Sequence, residues 1–168
     1  YDGPFDDLWA AQQRGGVTHL TELIKDIPIN AVEAHRVILW DEVGETEGTG
    51  IVHIAPGCGA DDFQLGKKYG LPIIAPLTED GYFIEGFHWI SGMHVSEVAQ
   101  PIFEDLQRKG LLVQVEDYTH RYPKCWRCAT DLVFRLVDEW FISMGEVYDK
   151  PRELLTAEEK ARSLRYQI

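Results

Sequence analysis

The apolar positions form short runs rather than long stripes. Val37 to Leu39 is one such run and Ile51 to Ile54 another, and Gly44, Gly48 and Gly50 punctuate the polar segment between them, which predicts two short strands joined by a loop. Ala55-Pro56-Gly57-Cys58-Gly59-Ala60 is too rich in glycine and proline for a regular element. Asp61-Asp62 then opens a predicted short helix that stops at Gly70, since acidic residues favour a helix start and glycine a helix stop. Leu71 to Leu77 and Tyr82 to Ile84 flank Thr78-Glu79-Asp80-Gly81, whose Asp-Gly pair signals a hairpin. Val95, Val98, Ile102 and Leu106 recur at helical spacing up to Gly110, with Pro101 predicting a kink or a late start. Leu111 to Val115 is the expected next strand. The pattern is a mixed α/β chain, rich in strands with helices inserted.

From Tyr118 onward the composition changes. Tyr118-Thr119-His120-Arg121-Tyr122-Pro123 leads into Cys125-Trp126-Arg127-Cys128 and the apolar run Leu132 to Val137, and the tail after Tyr148 is charged. A boundary near residue 118 is therefore expected, dividing a domain over 1–118 from a segment over 119–168. Trp9 to Asn30 carries no legible signal and reads as an elaboration of the loop before Gly48. The opening Tyr1-Asp2-Gly3-Pro4-Phe5 lacks an initiating methionine and reads as the interior of a longer protein.

With 168 residues and 45% apolar content, the chain can bury one core and part of a second. No apolar run reaches the roughly 18 residues a membrane helix needs, and no secretory leader is visible, so the expected compartment is the cytoplasm, with no membrane partner. The net charge of -12 argues against a free-standing nucleic-acid groove and limits any RNA contact to a small or weak one. Asp2, Asp6, Asp7, Glu42, Glu45 and Glu47 are expected on solvated surface. Of the three cysteines, Cys125 and Cys128 have the two-residue spacing that lets both thiolates reach one tetrahedral metal, but a pair is half a site. His120 could supply a third ligand, although a solvated or stacking role fits it better.

The most informative stretch is Gly48-Thr49-Gly50-Ile51-Val52-His53-Ile54-Ala55-Pro56-Gly57-Cys58-Gly59-Ala60-Asp61-Asp62-Phe63. It sets a strand, a loop that exposes backbone, and two carboxylates at a helix start, where the helix dipole favours the ionised form. Residue by residue, a plain reading is available: Asp61 as a cap, His53 in a core, the glycines as turns. Their joint order resembles the editing domain of isoleucyl-tRNA synthetases, where a Gly-Thr-Gly strand with a histidine runs into an Ala-Pro loop and an acidic pair. Tyr118 to Cys128 and Asp138-Glu139-Trp140-Phe141-Ile142 are similar to the part of the same family that returns to the catalytic core. Valyl and leucyl relatives usually follow the Gly-Thr-Gly strand with a Pro-Ala-His-Asp loop, so the isoleucyl member is favoured.

That resemblance implies a barrel-like editing domain with inserted helices, its N-terminal part lying before Tyr1, then a stem returning to the Rossmann core. It implies hydrolysis of valine misattached to the 3′ end of the isoleucine tRNA, because one missing methylene is too small a difference for a single pocket to reject; the isoleucine–valine pair is the standard illustration of that limit. The partners implied are that tRNA end and the rest of the synthetase chain. Asp62 would grip the substrate α-ammonium, with Asp61 a cap or solvated neighbour. His53 would line the amino-acid pocket, with Thr49, Gly48, Gly50, Pro56 and Gly57 shaping its edge. A positioned water, not a protein nucleophile, would attack the ester. The family's threonine-rich strand would precede Tyr1, as would a second cysteine pair completing a zinc site with Cys125 and Cys128. No cofactor is expected in this chain itself, and ATP and magnesium belong to a synthetic site whose signatures are not in it. Two rivals stand: an inactive structural or binding piece, and a hydrolase using Cys58 as nucleophile with His53 as base, which Asp61 and Asp62 would oppose by raising the thiol pKa. Trp126, Trp140 and Phe141 are expected to pack where the stem meets the core rather than to stack on bases.

Overall fold

In the computed structural model, which describes residues 1–44, 46 and 48–167, the chain divides into two compact units, Tyr1–Val137 and Asp138–Ile168. The composition change at Tyr118 falls inside the first. Glu45 and Glu47, expected on an acidic face, lie outside the described residues.

The core of the first unit gathers Leu8, Ala10, Ala11, Phe87, Ile90 and Val98, with Val17, Ile74, Phe83 and Ile102 packed against it. Ala10, Ala11 and Val17 come from the Trp9 to Asn30 segment, which carries no legible sequence signal. Trp9–Gln12 forms a 3-10 turn, and Gly16–Val17 is strand β1. Far from elaborating a loop, this segment is where the chain folds back on itself: the Gly15 and Ala31 amides donate to Ile29 and Ala11 carbonyls at 2.8 and 3.0 Å.

Both expected helices form. Helix α1, Ala60–Tyr69, ends on Gly70 in the left-handed conformation at φ 63°. Helix α2, Ala99–Arg108, carries Pro101 in its first turn, where its missing N–H costs nothing, so the late start and not the kink is realised. The hairpin also forms: Leu77 bridges Phe83, and the Thr78 amide donates to Tyr82 O at 2.9 Å.

The expected barrel is not closed among the described residues. The sheet among the described residues is two-stranded, parallel and open, pairing β1 with β2, Ile73–Ile74, in the register Gly16–Ile73 and Val17–Ile74. Val37–Leu39, Ile51–Ile54 and Leu111–Val115 form no strand, with Val37, Leu39, Ile51 and Val113 between 79% and 98% exposed. Alternating apolar residues favour an extended backbone, yet a strand exists only where a neighbour takes its N–H and C=O groups.

Lys109, just past α2, ties the unit's opening turn down. Its ammonium donates to the Pro4 carbonyl at 2.7 Å and to Asp7 Oδ1 at 2.8 Å, and lies 2.8 Å from Oδ2 of buried Asp105. In the second unit, helix α3, Ala157–Ala161, is closed by a capping box between Thr156 and Glu159, and fully buried Ser163 donates to the Met144 carbonyl at 2.7 Å.

Candidate functional site

The Ala55–Gly59 loop is a turn clamped on two sides. Its ends are joined by the Cys58 amide donating to Ala55 O at 2.9 Å, and Gly59 caps α1 in extended conformation. Pro56 and Gly57 are buried. A side chain on Gly57 would overlap the Ile74 carbonyl of β2, and one on Gly66 of α1 would reach 2.8 Å from Pro56. Glycine is required at both contacts because backbone and ring approach closer than a Cβ allows. Pro56 and Gly57 are therefore held by close packing against α1 and β2.

Asp62 occupies the first turn of α1 with its side chain folded back under the loop, Oδ1 accepting from the Ala55 amide at 2.8 Å. Its other oxygen lies against Gly59, in space a Cβ there would fill. The carboxylate thus has one oxygen committed to the loop and sits at the positive end of a helix. Asp61 is exposed and makes no cap bond; Gly59 takes the cap position the sequence suggested for an Asp. The thiol of Cys58 is pushed up, first by desolvation within the loop, although the residue as a whole is exposed, and second by the charge of Asp62. A site that raises a thiol pKa withholds the thiolate a nucleophile needs.

The remaining expected site residues make no hydrogen bond to this carboxylate among the described residues. Gly48 and Gly50 adopt φ of 62° and 72° with open space around them, and the Thr49 hydroxyl accepts from the Ile51 amide at 3.3 Å in a local turn. His53 is exposed, and among the described residues no hydrogen bond or ion pair links Gly48–His53 to Asp62.

Cys125 and Cys128 lie on a tight turn. Lys124 bridges Asp131, the Cys125 amide donates to Thr130 O at 2.8 Å, and the Ala129 amide to Cys125 O at 2.9 Å. Ala129 takes a left-handed φ of 59° to close it. Cys128 Sγ lies 2.9 Å from the Thr130 hydroxyl, which with the Thr130 backbone and Cys125 lowers the thiol to about 7. Two thiols in this geometry can enter one metal's coordination sphere, but no group of three metal-ligating side chains occurs among the described residues. His120 does not complete it; it stacks against Tyr118 with centroids 6.0 Å apart. Among the described residues Cys125 and Cys128 could supply two ligands of such a site.

No family model matches the chain. It is 50% identical over 117 residues to the isoleucine–tRNA ligase of Pyrococcus horikoshii, covering 70% of this chain. It is 44% identical over 135 residues, or 80% of this chain, to that of Methanothermobacter thermautotrophicus, and 48% identical over 116 residues to that of Pyrococcus furiosus. The chain belongs to the isoleucine–tRNA ligase family. It spans only 11% to 13% of the length of these relatives.

For an isoleucine–tRNA ligase segment, sequence reading left one cleft unnoticed. About 300 Å³ in volume, it has a floor of Ala75, Leu77 and Ile84 and a rim of His19, Glu79 and Arg135. Half-buried Arg135 sits 3.6 Å from the carboxylate of exposed Glu79. These residues are scattered from 19 to 135, so no local motif could have announced it. No helix of the described residues is long and apolar enough to cross a membrane.

Proposed function

We propose that this chain contributes the Asp62-bearing loop of an aminoacyl-tRNA editing site, which hydrolyses valine misattached to the isoleucine tRNA within a cytoplasmic synthetase. The observation that carries the reading is the Asp62 carboxylate held under the clamped Ala55–Gly59 loop at a helix start, in a chain of this family. An ionised carboxylate fixed there can receive an α-ammonium, and a fixed ammonium sets the ester carbonyl in one place for a water to attack. His53, Thr49, Gly48 and Gly50 would close the amino-acid pocket once a barrel forms around the Ile51–Ile54 segment with further strands of the intact synthetase. Those strands and the tRNA 3′ end are the partners this reading requires. Zinc would belong to the intact protein, with Cys125 and Cys128 supplying two of its ligands, and ATP with magnesium to its synthetic site.

The rival reading, a structural or binding piece without activity, has an observation of its own: Asp62 already satisfies the Ala55 amide. The thiol-hydrolase reading has the raised Cys58 thiol against it. Deacylation of valyl-tRNA by this chain and by a version extended upstream separates these readings. Hydrolysis by the extended version, retained on Cys58→Ala, is expected; hydrolysis by neither would sink the proposal.

A further inference from the structure

Gly48, Gly50 and Gly70, on either side of the loop, hold left-handed backbone, where a side chain is strained whatever the space around it; Gly59 does not. Its φ of -142° and ψ of 149° lie in the extended region open to any residue. Nor does backbone crowd it. A Cβ at Gly59 would overlap Asp62 Oδ2, and the other two of the three atoms nearest it, at 3.1 and 3.6 Å, are Cγ and Cβ of the same side chain. At Gly57, two residues earlier, the corresponding three atoms are all backbone of Ile74 and Ala75. The absence of a side chain at Gly59 therefore serves one close neighbour, the Asp62 carboxylate.

That carboxylate takes an uncommon path for a helix start. Gly59 is the N-cap of α1 and Asp62 its third residue, the two positions that in a capping box exchange side-chain hydrogen bonds. Here Gly59 has no side chain to give a cap bond, and Asp62 Oδ1 reaches past it to the Ala55 amide at 2.8 Å. A Ser, Thr, Asp or Asn at the cap would satisfy an amide of the first turn, but its side chain would take the space the carboxylate occupies. The sequence forgoes the better cap, and the carboxylate lies over Gly59 instead.

We propose that Gly59 is the positioning residue of Asp62: by carrying no side chain it lets the carboxylate fold back over the helix start onto the Ala55 amide, the placement from which it receives a substrate ammonium. This rests on the reading of Asp62 as that receptor. A methyl at Gly59 leaves the backbone its conformation and drives the carboxylate aside, because a side-chain end can rotate where a carbonyl cannot. Gly59 touches no substrate atom in this role; it acts through Asp62.

The test is a double-mutant cycle on hydrolysis of valyl-tRNA by the intact synthetase carrying this chain, with Gly59→Ala, Asp62→Asn and the two together. Gly59→Ala is expected to lower kcat/KM for deacylation by about tenfold. It should have no further effect once Asp62 is Asn, since no charge is left to misplace. Its melting temperature should stay within a few degrees of the parent's. In NMR spectra of this chain, the Ala55 amide proton should move upfield in Gly59→Ala toward its position in Asp62→Ala, a signature of the lost bond that needs no hydrolysis. Three results would each overturn the inference and leave the reading of Asp62 standing: parental deacylation by Gly59→Ala beside an impaired Asp62→Asn, an equal loss from Gly59→Ala in both backgrounds, or an unmoved Ala55 resonance. Parental deacylation by Asp62→Asn would overturn both.

Discussion

Replacing Gly57 by Ala tests whether the Ala55–Gly59 loop is held by backbone contact. The added methyl would overlap the Ile74 carbonyl and come within 2.9 Å of the Ala75 nitrogen, so the three atoms nearest it are backbone of β2 or its continuation. None can rotate aside. Either the loop lifts off the strand or the β1–β2 pair shifts, and overpacking of this kind costs about 1 to 3 kcal/mol. For a chain of this length each kcal/mol lowers the melting temperature by about 2 to 4 °C, so a fall of about 2 to 12 °C is expected. Gly48→Ala is the matched comparison: its φ is 62° but nothing lies within 4 Å, so only backbone strain of about 1 kcal/mol applies. Thermal melts followed by far-ultraviolet circular dichroism would compare the two. Equal melting temperatures for Gly57→Ala and the parent would refute the clamped loop.

Four further outcomes are expected elsewhere in the chain. Lys109→Met leaves buried Asp105 with Arg108 alone and frees the Pro4–Asp7 turn; a loss of about 2 to 4 kcal/mol in urea unfolding is expected, and a loss under 0.5 kcal/mol, the size of an ordinary surface substitution, would show the contact to be idle. The bond from Lys109 holds the Asp7 carboxyl below its ordinary value in the folded state. This contact therefore stabilises above the unfolded carboxylate range and is lost as pH falls through the folded value, so the parent should lose more stability on acidification than Lys109→Met. With Cys125 and Cys128 replaced by Ser, alkylation of Cys58 should have a pH midpoint above that of an ordinary thiol, and Asp62→Asn should bring it down; no shift would mean Asp62 does not act on the sulfur. After dialysis against a chelator, this chain should retain well under one zinc per molecule, and full retention would mean that ligands beyond Cys125 and Cys128 exist.

What the sequence disclosed and withheld divides along local and non-local lines. Helices α1 and α2 and the Thr78–Gly81 turn were legible because caps, periodicity and turn residues act within a few positions. The β1–β2 pairing was not, since Gly16 and Ile73 meet only after the chain between them has folded. The core role of Leu8, Ala10 and Ala11 was hidden for a similar reason: apolar residues without periodicity give no local sign of burial. In the site, the loop and its carboxylate were legible as a group. That Pro56 and Gly57 pack against Gly66 and Ile74, and that Asp62 turns back to the Ala55 amide, needed coordinates.

The central claim is that the charge of Asp62 receives a substrate ammonium, beyond the hydrogen bond it gives the loop. Asp62→Asn separates the two roles, since the amide oxygen still accepts from the Ala55 N–H while the charge is gone. The measurement is hydrolysis of valyl-tRNA by the intact synthetase carrying this chain, with the variant's melting temperature alongside. The account predicts a melting temperature within a few degrees of the parent and deacylation reduced by about tenfold or more, the loss of a charge-assisted contact of at least 1.4 kcal/mol. Parental deacylation by Asp62→Asn would contradict it and leave Asp62 as a structural tie.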